Sequence, residues 1–315
     1  MPRGNGTLMK PALRSGINRA TRRAQVRLAL GLVAPLLLLV LVFFLFPLGN
    51  AIYYSLLDYN GVDPAPPFVG LSNYVELFND PALWPAFRNN IVWIVVGTAA
   101  PIIVGLGLAL LTWNIRRGTT AYRIALFLPY VLPTVVIGVV WGWIYDPMRG
   151  WLNQMLRAIG LDSLARGWLG DPDTALMAVL GTAIWATTGF VYVVLLSALR
   201  NVDAELLDAA RMDGTNSAQR VWYIVLPQIM PVFLMLVTLT LVGGLSVFDI
   251  VFVMTGGGPA NASEVLGTYS YSNAFQLGRV SYGTALALVI TVLAVPIALF
   301  MNRLQRRLSN QGMGS

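Results

Sequence analysis

Cysteine and histidine are both absent from the 315 residues of this sequence. Their absence excludes disulfides, thiolate nucleophiles, imidazole bases and metal sites that need either residue as a ligand. Charge is also scarce: charged residues make up 11% of the chain, whereas soluble domains carry about 25%. Because 57% of the residues are hydrophobic, most of the chain is predicted to be surrounded by lipid or by other membrane helices.

A nucleotide-hydrolysing site is excluded by the lysine content. The phosphate-binding loop of common ATPases needs a lysine after a spaced pair of glycines, and the single lysine, Lys10, has no such context. Ion-coupled carriers usually hold several ionisable residues within their helices, but here only Asp249 lies well inside an apolar stretch. Uphill transport by this chain would therefore draw its energy from another subunit.

Six apolar stretches reach the roughly 20 residues that a membrane-spanning helix needs. They predict an all-α polytopic membrane protein with six transmembrane helices. The first stretch follows a basic segment and is too long for a cleaved signal peptide, so we interpret it as a retained signal anchor. The six stretches cover residues 28–57, 88–113, 123–145, 174–199, 229–254 and 280–301.

Prolines interrupt several of these stretches. Each proline removes a backbone donor and bends or breaks its helix. Two interpretations stay open: kinks that serve packing, or helices broken around a translocation path. The prolines are Pro35, Pro47, Pro101, Pro129, Pro133 and Pro296.

The basic residues are distributed unevenly between the connecting segments. With the N-terminus inside, segments 1–27, 114–123, 200–228 and 302–315 hold 16 basic residues, and the three remaining loops hold 5. Positive charge accumulates on the cytoplasmic side of membrane proteins. Both termini are therefore predicted to be cytoplasmic. The outer loops are then 58–88, 146–173 and 255–279.

The segment between the fourth and fifth stretches is long for a simple connector. Its pattern predicts two short helices joined at Gly214, which can adopt the left-handed conformation that ends a helix. Asp203 can cap the first helix, and Asn216 or Ser217 the second. Pro227 is expected to mark the return toward the membrane.

A spaced motif runs through this segment: an acidic residue, two alanines, three residues, glycine, nine residues, then Ile-x-Leu-Pro. It resembles the EAA loop of binding-protein-dependent ABC importers. Asp208 stands where glutamate is usual and Thr215 where alanine is common, and both departures are mild. The candidate coupling residues are Asp208, Ala209, Ala210, Asp213, Gly214, Ile224, Leu226 and Pro227.

The resemblance covers roughly residues 28–302. The segment from Val69 to Asn89 is similar to the first outer loop of carbohydrate permeases, although Asn90 departs from the threonine often found there. Residues 255–269 resemble the loop after the fifth span in the first permease of maltose- and glycerol-phosphate-type systems. The chain is thus divided into a basic tail (1–27), a permease domain (28–302) with its EAA loop at 200–228, and a C-terminal tail (303–315).

The resemblance implies a type I ABC importer permease in the plasma membrane of a bacterium. Its partners would be a second permease, a dimeric ATPase, an extracytoplasmic solute-binding protein and membrane lipid, with no nucleic acid. The EAA loop would be a coupling helix set into the ATPase. No cofactor would be bound by this chain, because ATP and magnesium would be held by the ATPase.

A substrate path for a sugar needs aromatic rings for the apolar faces of the sugar and polar groups for its hydroxyls. An intramembrane carboxylate is a functional candidate by default, but packing and an aromatic belt are alternative explanations for these residues. The candidates are Asp249, Phe248, Ser246, Trp141, Trp185, Tyr192 and Tyr145.

Other functions stay open at this level. An ABC permease for polyamines or another small polar solute would share the EAA loop. An ATP-independent carrier or channel is a different class, and it would transport without any ATPase. An intramembrane enzyme is disfavoured because neither paired carboxylates nor a nucleophile motif occurs, and a membrane scaffold would not explain the EAA spacing.

Overall fold

The computed structural model describes residues 19–115 and 118–312. Most of the predicted N-terminal tail, and the last three residues of the C-terminal tail, lie outside the described residues. Arg116 and Arg117, which contribute to the charge asymmetry, lie outside them as well.

Within the described ranges the chain is helical, and its only β-type pairing is an isolated bridge between Leu57 and Phe68. This confirms the predicted all-α class. The α-helices are α1 (Arg19–Val40), α2 (Phe46–Ser55), α3 (Ser72–Asn79), α4 (Leu83–Thr112), α5 (Thr119–Val131), α6 (Thr134–Ile144), α7 (Trp151–Ala158), α8 (Ala175–Arg200), α9 (Ala204–Met212), α10 (Ser217–Arg220), α11 (Leu226–Leu245), α12 (Asp249–Met254), α13 (Leu266–Tyr271) and α14 (Val280–Gly312).

Short π-helical segments join several of these helices. Two of them, Leu41–Leu45 and Val221–Val225, end two residues before Pro47 and Pro227. Proline cannot donate the hydrogen bond that a regular α-helix needs at its position, and a π turn accommodates the missing bond without ending the helix. The remaining irregular segments are a π-helix at Ser272–Gln276 and a 3₁₀ turn at Asp162–Leu164.

Five helices in the described ranges are long and apolar enough to cross a membrane. A sixth span would be the pair α5 and α6, which are bent by 98° at Leu132 and Pro133. The expectation of one helix over 123–145 is therefore wrong in detail, because Leu132 adopts an extended conformation before the proline. The long helices are Leu30–Ser55, Leu83–Thr112, Ala175–Arg200, Ser217–Leu245 and Val280–Arg307.

The fifth span also differs from its prediction over 229–254. Its helix begins at Ser217, continues through the π segment and stops at Leu245. The second helix of the connecting segment is thus part of the span, so Pro227 marks no separate return to the membrane. Residues 246–248 then break the chain before α12.

The described residues 19–51 belong to a compact unit of their own. Side chains from Leu30 through Gly49 are exposed within this unit. Pro35 lies inside α1 without interrupting it, because the helix is continuous to Val40. Continuous apolar exposure on a helix of this length is typical of a membrane span.

The second unit, from Ile52 onward, is built around α8. Its largest buried cluster combines α4, α8 and α11, and includes Tyr192, Leu195 and Leu236. Glycine lets these helices approach closely: a Cβ on Gly189 would lie 1.6 Å from the Leu126 carbonyl oxygen of α5. Two smaller clusters join α4 to α6, α8 and α12, and α3 and α4 to α13 and α14.

Candidate functional site

The connecting segment after α8 folds as the sequence predicts in its local details. Asp203 caps α9 by accepting the N–H of Glu205 on Oδ1 at 2.9 Å. Gly214 has a φ of +78°, the left-handed value expected at the joint. Asn216, rather than Ser217, caps the next helix, through two 2.9 Å bonds exchanged with Gln219. These side chains satisfy backbone groups that helix ends leave open.

The acidic residue of the motif lies on the exposed face of helix α9. Asp208 and Ala209 are exposed, and Asp208 accepts a 2.7 Å bond from Arg211. Ala210 faces inward and is buried. Met212 is 88% exposed at the end of the helix. The result is a short ordered helix with small, apolar and charged groups on its open face.

The second half of the motif is joined to the helical core. Thr215 Oγ1 donates to the Ala210 carbonyl at 2.6 Å, and Arg220 donates to the Thr215 carbonyl. Leu226 packs against the cluster formed by α4, α8 and α11, and Ile224 is half-buried beside it. Because one helix runs from Ser217 to Leu245, a displacement of this segment would be carried into the fifth span.

At the other end of that helix, Asn90 of α4 holds the break in place. Its Nδ2 donates to the carbonyls of Gly244 and Leu245 at 3.1 Å each. Its Oδ1 accepts the N–H of Leu266 at 2.6 Å. The sequence predicts nothing for Asn90 beyond its departure from threonine. The available signal is the adjacent amide pair Asn89 and Asn90 at the start of an apolar stretch, because each amide carries donors and an acceptor that need partners.

The neighbouring amide has a similar role. Asn89 is buried and donates to the carbonyls of Ala262 at 3.0 Å and Glu264 at 2.8 Å. The two asparagines therefore attach the start of α4 both to the broken span and to the loop that follows α12.

A cavity of about 370 Å³ lies beside this break. Its walls combine aromatic rings with the hydroxyl groups of Tyr130, Thr187 and Thr240. Such a mixture is typical of pockets that bind small polar molecules. The lining residues are Trp93, Gly97, Tyr130, Ala183, Ile184, Thr187, Phe190, Leu239, Thr240, Gly243, Gly244, Val247 and Ile250.

Three residues of the predicted substrate path meet at the break but outside the lining of this cavity. Asp249 is exposed at the start of α12. Ser246 donates to the Val242 carbonyl at 3.2 Å. The Phe248 ring is stacked on Phe252 with centroids 5.1 Å apart.

The remaining predicted path residues lie elsewhere in the second unit. Trp141 is 5.1 Å from Tyr145 and 5.4 Å from Trp185, measured between ring centroids. The Tyr145 hydroxyl donates to the Ala178 carbonyl at 3.1 Å. Tyr192 is fully buried, with its hydroxyl 3.1 Å from that of Thr112. The structure does not bring these residues together with Asp249, and their assignment to the path stays a prediction.

A polar cluster at the start of α4 joins three elements. Asp80 accepts bonds from the hydroxyls of Tyr269 and Tyr282 and, at 2.9 Å, from the N–H of Ala82. Burial by itself raises the pKa of Asp80, but these bonds and the charge of Arg279 outweigh it and hold the pKa below its usual value. The cluster ties the α3–α4 turn to α13 and α14.

Glu264 is a buried carboxyl group in the loop before α13. Its side chain is 6% exposed, and Oε1 has no hydrogen-bond partner in the described part of the chain. Burial raises its pKa above the ordinary value, and a bond from Thr268 offsets this only in part. Such a group favours its neutral form.

Comparison with known proteins gives the class of the chain. Residues 102–310 match the family described as "Binding-protein-dependent transport system inner membrane component". A probable ABC transporter permease protein, YurN of Bacillus subtilis (strain 168), is 36% identical over 85% of this chain and 94% of its own length. The trehalose/maltose transport system permease protein MalF of Thermococcus litoralis is 30% identical over 86% of this chain and 91% of its own length.

Solved structures support the same fold. A chain from the crystal structure of a bacterial alginate ABC transporter, in complex with an alginate pentasaccharide-bound periplasmic protein, superposes with a TM-score of 0.78. The likeness spans 92% of this chain and 96% of that chain, at 23% identity. The type I permease fold is thereby confirmed. The family match and the similar permease YurN confirm the expectation of a transport subunit rather than an enzyme. The chain belongs to the family of multi-pass inner-membrane components of binding-protein-dependent ABC transporters.

Proposed function

We propose that this chain is the permease subunit through which a sugar or sugar derivative crosses the plasma membrane of a bacterium. Relatives named for a substrate point to carbohydrates: one is named for trehalose and maltose, and another for diacetylchitobiose. The structural neighbour belongs to an alginate transporter. The driving force comes from ATP hydrolysis by a separate subunit.

The exposed helix α9 is the observation that carries this proposal. Asp208 and Ala209 lie on its open face, and Gly214 joins it to the helix that becomes the fifth span. Closure of an ATPase dimer against α9 would displace that span. A nucleotide-biased two-state element of this kind switches the path between inward and outward openings.

The proposed assembly contains further chains. A second permease completes the path, an ATPase dimer binds ATP and magnesium, and an extracytoplasmic binding protein delivers the solute. The periplasmic protein in the alginate transporter complex supports the last of these. Segment 200–228 and both termini are assigned to the cytoplasm because of their excess of basic residues.

The cavity beside the break suits a carbohydrate. Its rings, among them Trp93 and Phe190, can cover the apolar faces of a sugar, and Thr187 and Thr240 can bond to its hydroxyls. A polyamine would need carboxylates to neutralise its charge, and none of the lining residues is acidic. The cavity therefore favours the sugar over the polyamine.

Coupling can be tested with the double variant Gly214→Ala, Asp208→Lys in the assembled transporter in proteoliposomes. Alanine strains the left-handed joint, and lysine reverses a charge on the open face of α9. We expect normal membrane insertion, and ATP hydrolysis that no longer drives uptake. The matched control is Gly160→Ala, Asp162→Lys, because Gly160 also has a left-handed φ, of +79°. Normal uptake by the first variant would contradict the coupling role.

The path can be tested by removing hydroxyls while keeping side-chain volume. Thr187→Val with Thr240→Val should raise the KM for uptake about tenfold, since each lost bond to a neutral group costs about 0.5–1.5 kcal/mol. Thr291→Val, on an exposed part of α14, is the control.

Asp249→Asn measured in parallel decides the role of that carboxylate, and unchanged uptake removes it from the path.

A further inference from the structure

Helix α7 packs against the protein through a buried polar side chain, with Leu152 and Leu156 half-buried beside it. Asn153 at its centre is fully buried. Its Nδ2 donates to the carbonyls of Pro147 at 3.1 Å and Arg166 at 2.8 Å, and its Oδ1 accepts the Nε1–H of Trp168 at 2.8 Å. The orientation of α7 is therefore determined by a saturated amide, as buried polar groups require.

Three other apolar residues point away from this contact. Trp151, Met155 and Ile159 follow one another at intervals of four residues and so share one helix face. Trp151 is 63% and Ile159 is 59% exposed. At 100° per residue this face lies opposite Asn153. Met148, in the turn before the helix, is exposed as well. An exposed apolar face of this kind needs an apolar environment outside the chain.

The connection to α6 limits where α7 can lie. Hydrogen-bonded turns join the two helices without a gap: Tyr145 N–H bonds to Trp141 O at 2.9 Å, Asp146 N–H to Trp143 O at 3.3 Å, and Gly150 N–H to Asp146 O at 3.0 Å. Helix α7 thus starts about one turn beyond the end of the bent span. Trp143, on the last turn of α6, is 72% exposed, so the apolar surface of the span continues onto α7.

One basic residue adjoins the apolar face. Arg149 is exposed two residues before Trp151. Arg157 instead lies on the Asn153 side of the helix and donates to the Pro147 carbonyl at 3.4 Å. The nearby Asp146 carboxylate is occupied by the N–H groups of Met148 and Arg149. A guanidinium group beside a Trp-containing apolar face is complementary to the phosphates of an anionic bilayer surface. This charge, together with the continuity with α6, favours lipid over a protein partner.

We propose that α7 is an interfacial helix: its apolar face enters the bilayer surface, and Arg149 contacts lipid phosphates. It would anchor the second half of the bent span, α6, to the membrane surface. The Gly138 face of α6 packs on α12, where a Cβ would lie 2.7 Å from Val253 Cγ1. Helix α6 therefore connects the anchor to the broken region of the fifth span.

Because the chain has no cysteine, single introduced cysteines can be spin-labelled without first replacing native ones. Met155→Cys and Ile159→Cys report on the apolar face, and Gln154→Cys on the side of the helix. The full chain is placed in phosphatidylglycerol nanodiscs, and accessibility to oxygen is compared with accessibility to a water-soluble nickel chelate. Labels at 155 and 159 should be several-fold more accessible to oxygen than to nickel, and the label at 154 should show the reverse.

Two results would overturn the proposal. Equal nickel accessibility at all three positions would place α7 in water, and protection of 155 and 159 from both reagents would mean that protein covers the face. The headgroup contact is tested with Arg149→Gln in the Met155→Cys chain, and Arg157→Gln is the matched control because its guanidinium bonds to the Pro147 carbonyl. With Arg149→Gln the label should become shallower in phosphatidylglycerol but not in phosphatidylcholine, and an unchanged depth in both would exclude the contact.

Discussion

Single glycines determine how closely the helices of the second unit approach one another. Gly189 in α8 faces the backbone of α5, where the Leu126 carbonyl oxygen lies 1.6 Å from any added Cβ. Gly107 in α4 has nothing within 4 Å of the same position. The two residues are alike in sequence context, since both lie in long apolar helices. Only the first is required by packing.

Gly189→Ala is therefore expected to destabilise the chain by about 3 kcal/mol or more, at the upper end of the cost of overpacking a core. The clash involves backbone, which a rotamer change cannot relieve. Gly107→Ala should be neutral or slightly stabilising, because alanine favours helix over glycine by roughly 0.5–1 kcal/mol. Thermal unfolding of both variants in detergent measures the difference. Equal midpoints would contradict the close contact.

Glu264 gives stability a pH dependence of definite sign. Its folded pKa is raised above the ordinary value of 4.5, so the folded state binds the proton more tightly than the unfolded state. The stabilisation that the protonated Glu264 gives the folded state is therefore full below pH 4.5, and it is lost as pH rises through the folded pKa. Glu264→Gln should equal the parent at pH 4 and exceed its thermal stability at pH 8.

The control for this measurement is Glu205→Gln, because the Glu205 side chain is exposed in the first turn of α9. At pH 8 the control should change thermal stability less than Glu264→Gln does. A Glu264→Gln variant that is equally destabilised at every pH would contradict the assignment of a buried neutral carboxyl group.

Among the elements, the break between α11 and α12 depends on a side chain from another helix. The pair Gly243 and Gly244 weakens the end of α11 locally, but glycine alone does not determine where a span stops. Asn90 donates to the Gly244 and Leu245 carbonyls at the break. It also accepts the Leu266 N–H at the start of α13. These backbone groups would otherwise lack partners. The broken element and α4 thus form one unit.

Asn90→Ala should therefore loosen the break. Each buried backbone group that loses its partner costs about 1–3 kcal/mol, and three groups are affected. Hydrogen exchange of the Leu266 amide should accelerate, together with a lower unfolding temperature. Asn79→Ala is the control, because the Asn79 amide bonds to the exposed Val75 carbonyl one turn earlier in its own helix. Similar effects of the two substitutions would contradict the role of Asn90.

For the whole molecule, orientation in the membrane follows from charge rather than from packing. Contacts between helices are the same whichever way the chain is inserted, so the arginine distribution carries the assignment. The chain has no cysteine, which lets single introduced thiols report the side of each loop.

We expect Asp63→Cys to react with a membrane-impermeant maleimide in intact spheroplasts, and Asp213→Cys to react only after permeabilisation. Both aspartates are exposed, so the side chains themselves do not limit labelling. Reaction of position 213 from outside would reverse the topology and remove the basis for coupling to a cytoplasmic ATPase.

Much of the fold was predictable from local pattern. Apolar stretches of sufficient length correctly predicted five spans, and Asp203, Gly214 and Asn216 have the predicted roles because caps depend on residues a few positions apart. The sequence alone does not show that the chain bends at Pro133 but continues as a helix, through a π segment, at Pro227. Both depend on a proline, and the surrounding helices decide whether the chain breaks or continues.

The candidate site was predictable in part for the same reason. The motif around Gly214 is contiguous, so its spacing identified it directly. The cavity beside the break combines α4, α5, α8, α11 and α12, and no local pattern relates Trp93 to Thr187 or Thr240. Aromatic residues chosen by position in the spans, such as Tyr192, lie in the core instead.

The amino-acid sequence by itself determined that this chain is a multi-pass helical membrane protein, with an uneven distribution of basic residues between its connecting segments and a contiguous motif around Gly214. Each of these properties depends on composition or on neighbours within one helix. The tertiary structure alone decided which helices break, where Asn90 and Gly189 are needed, and which side chains line the cavity. Those features depend on contacts between residues more than 60 positions apart, as between Gly189 and Leu126, and only packing brings such residues together.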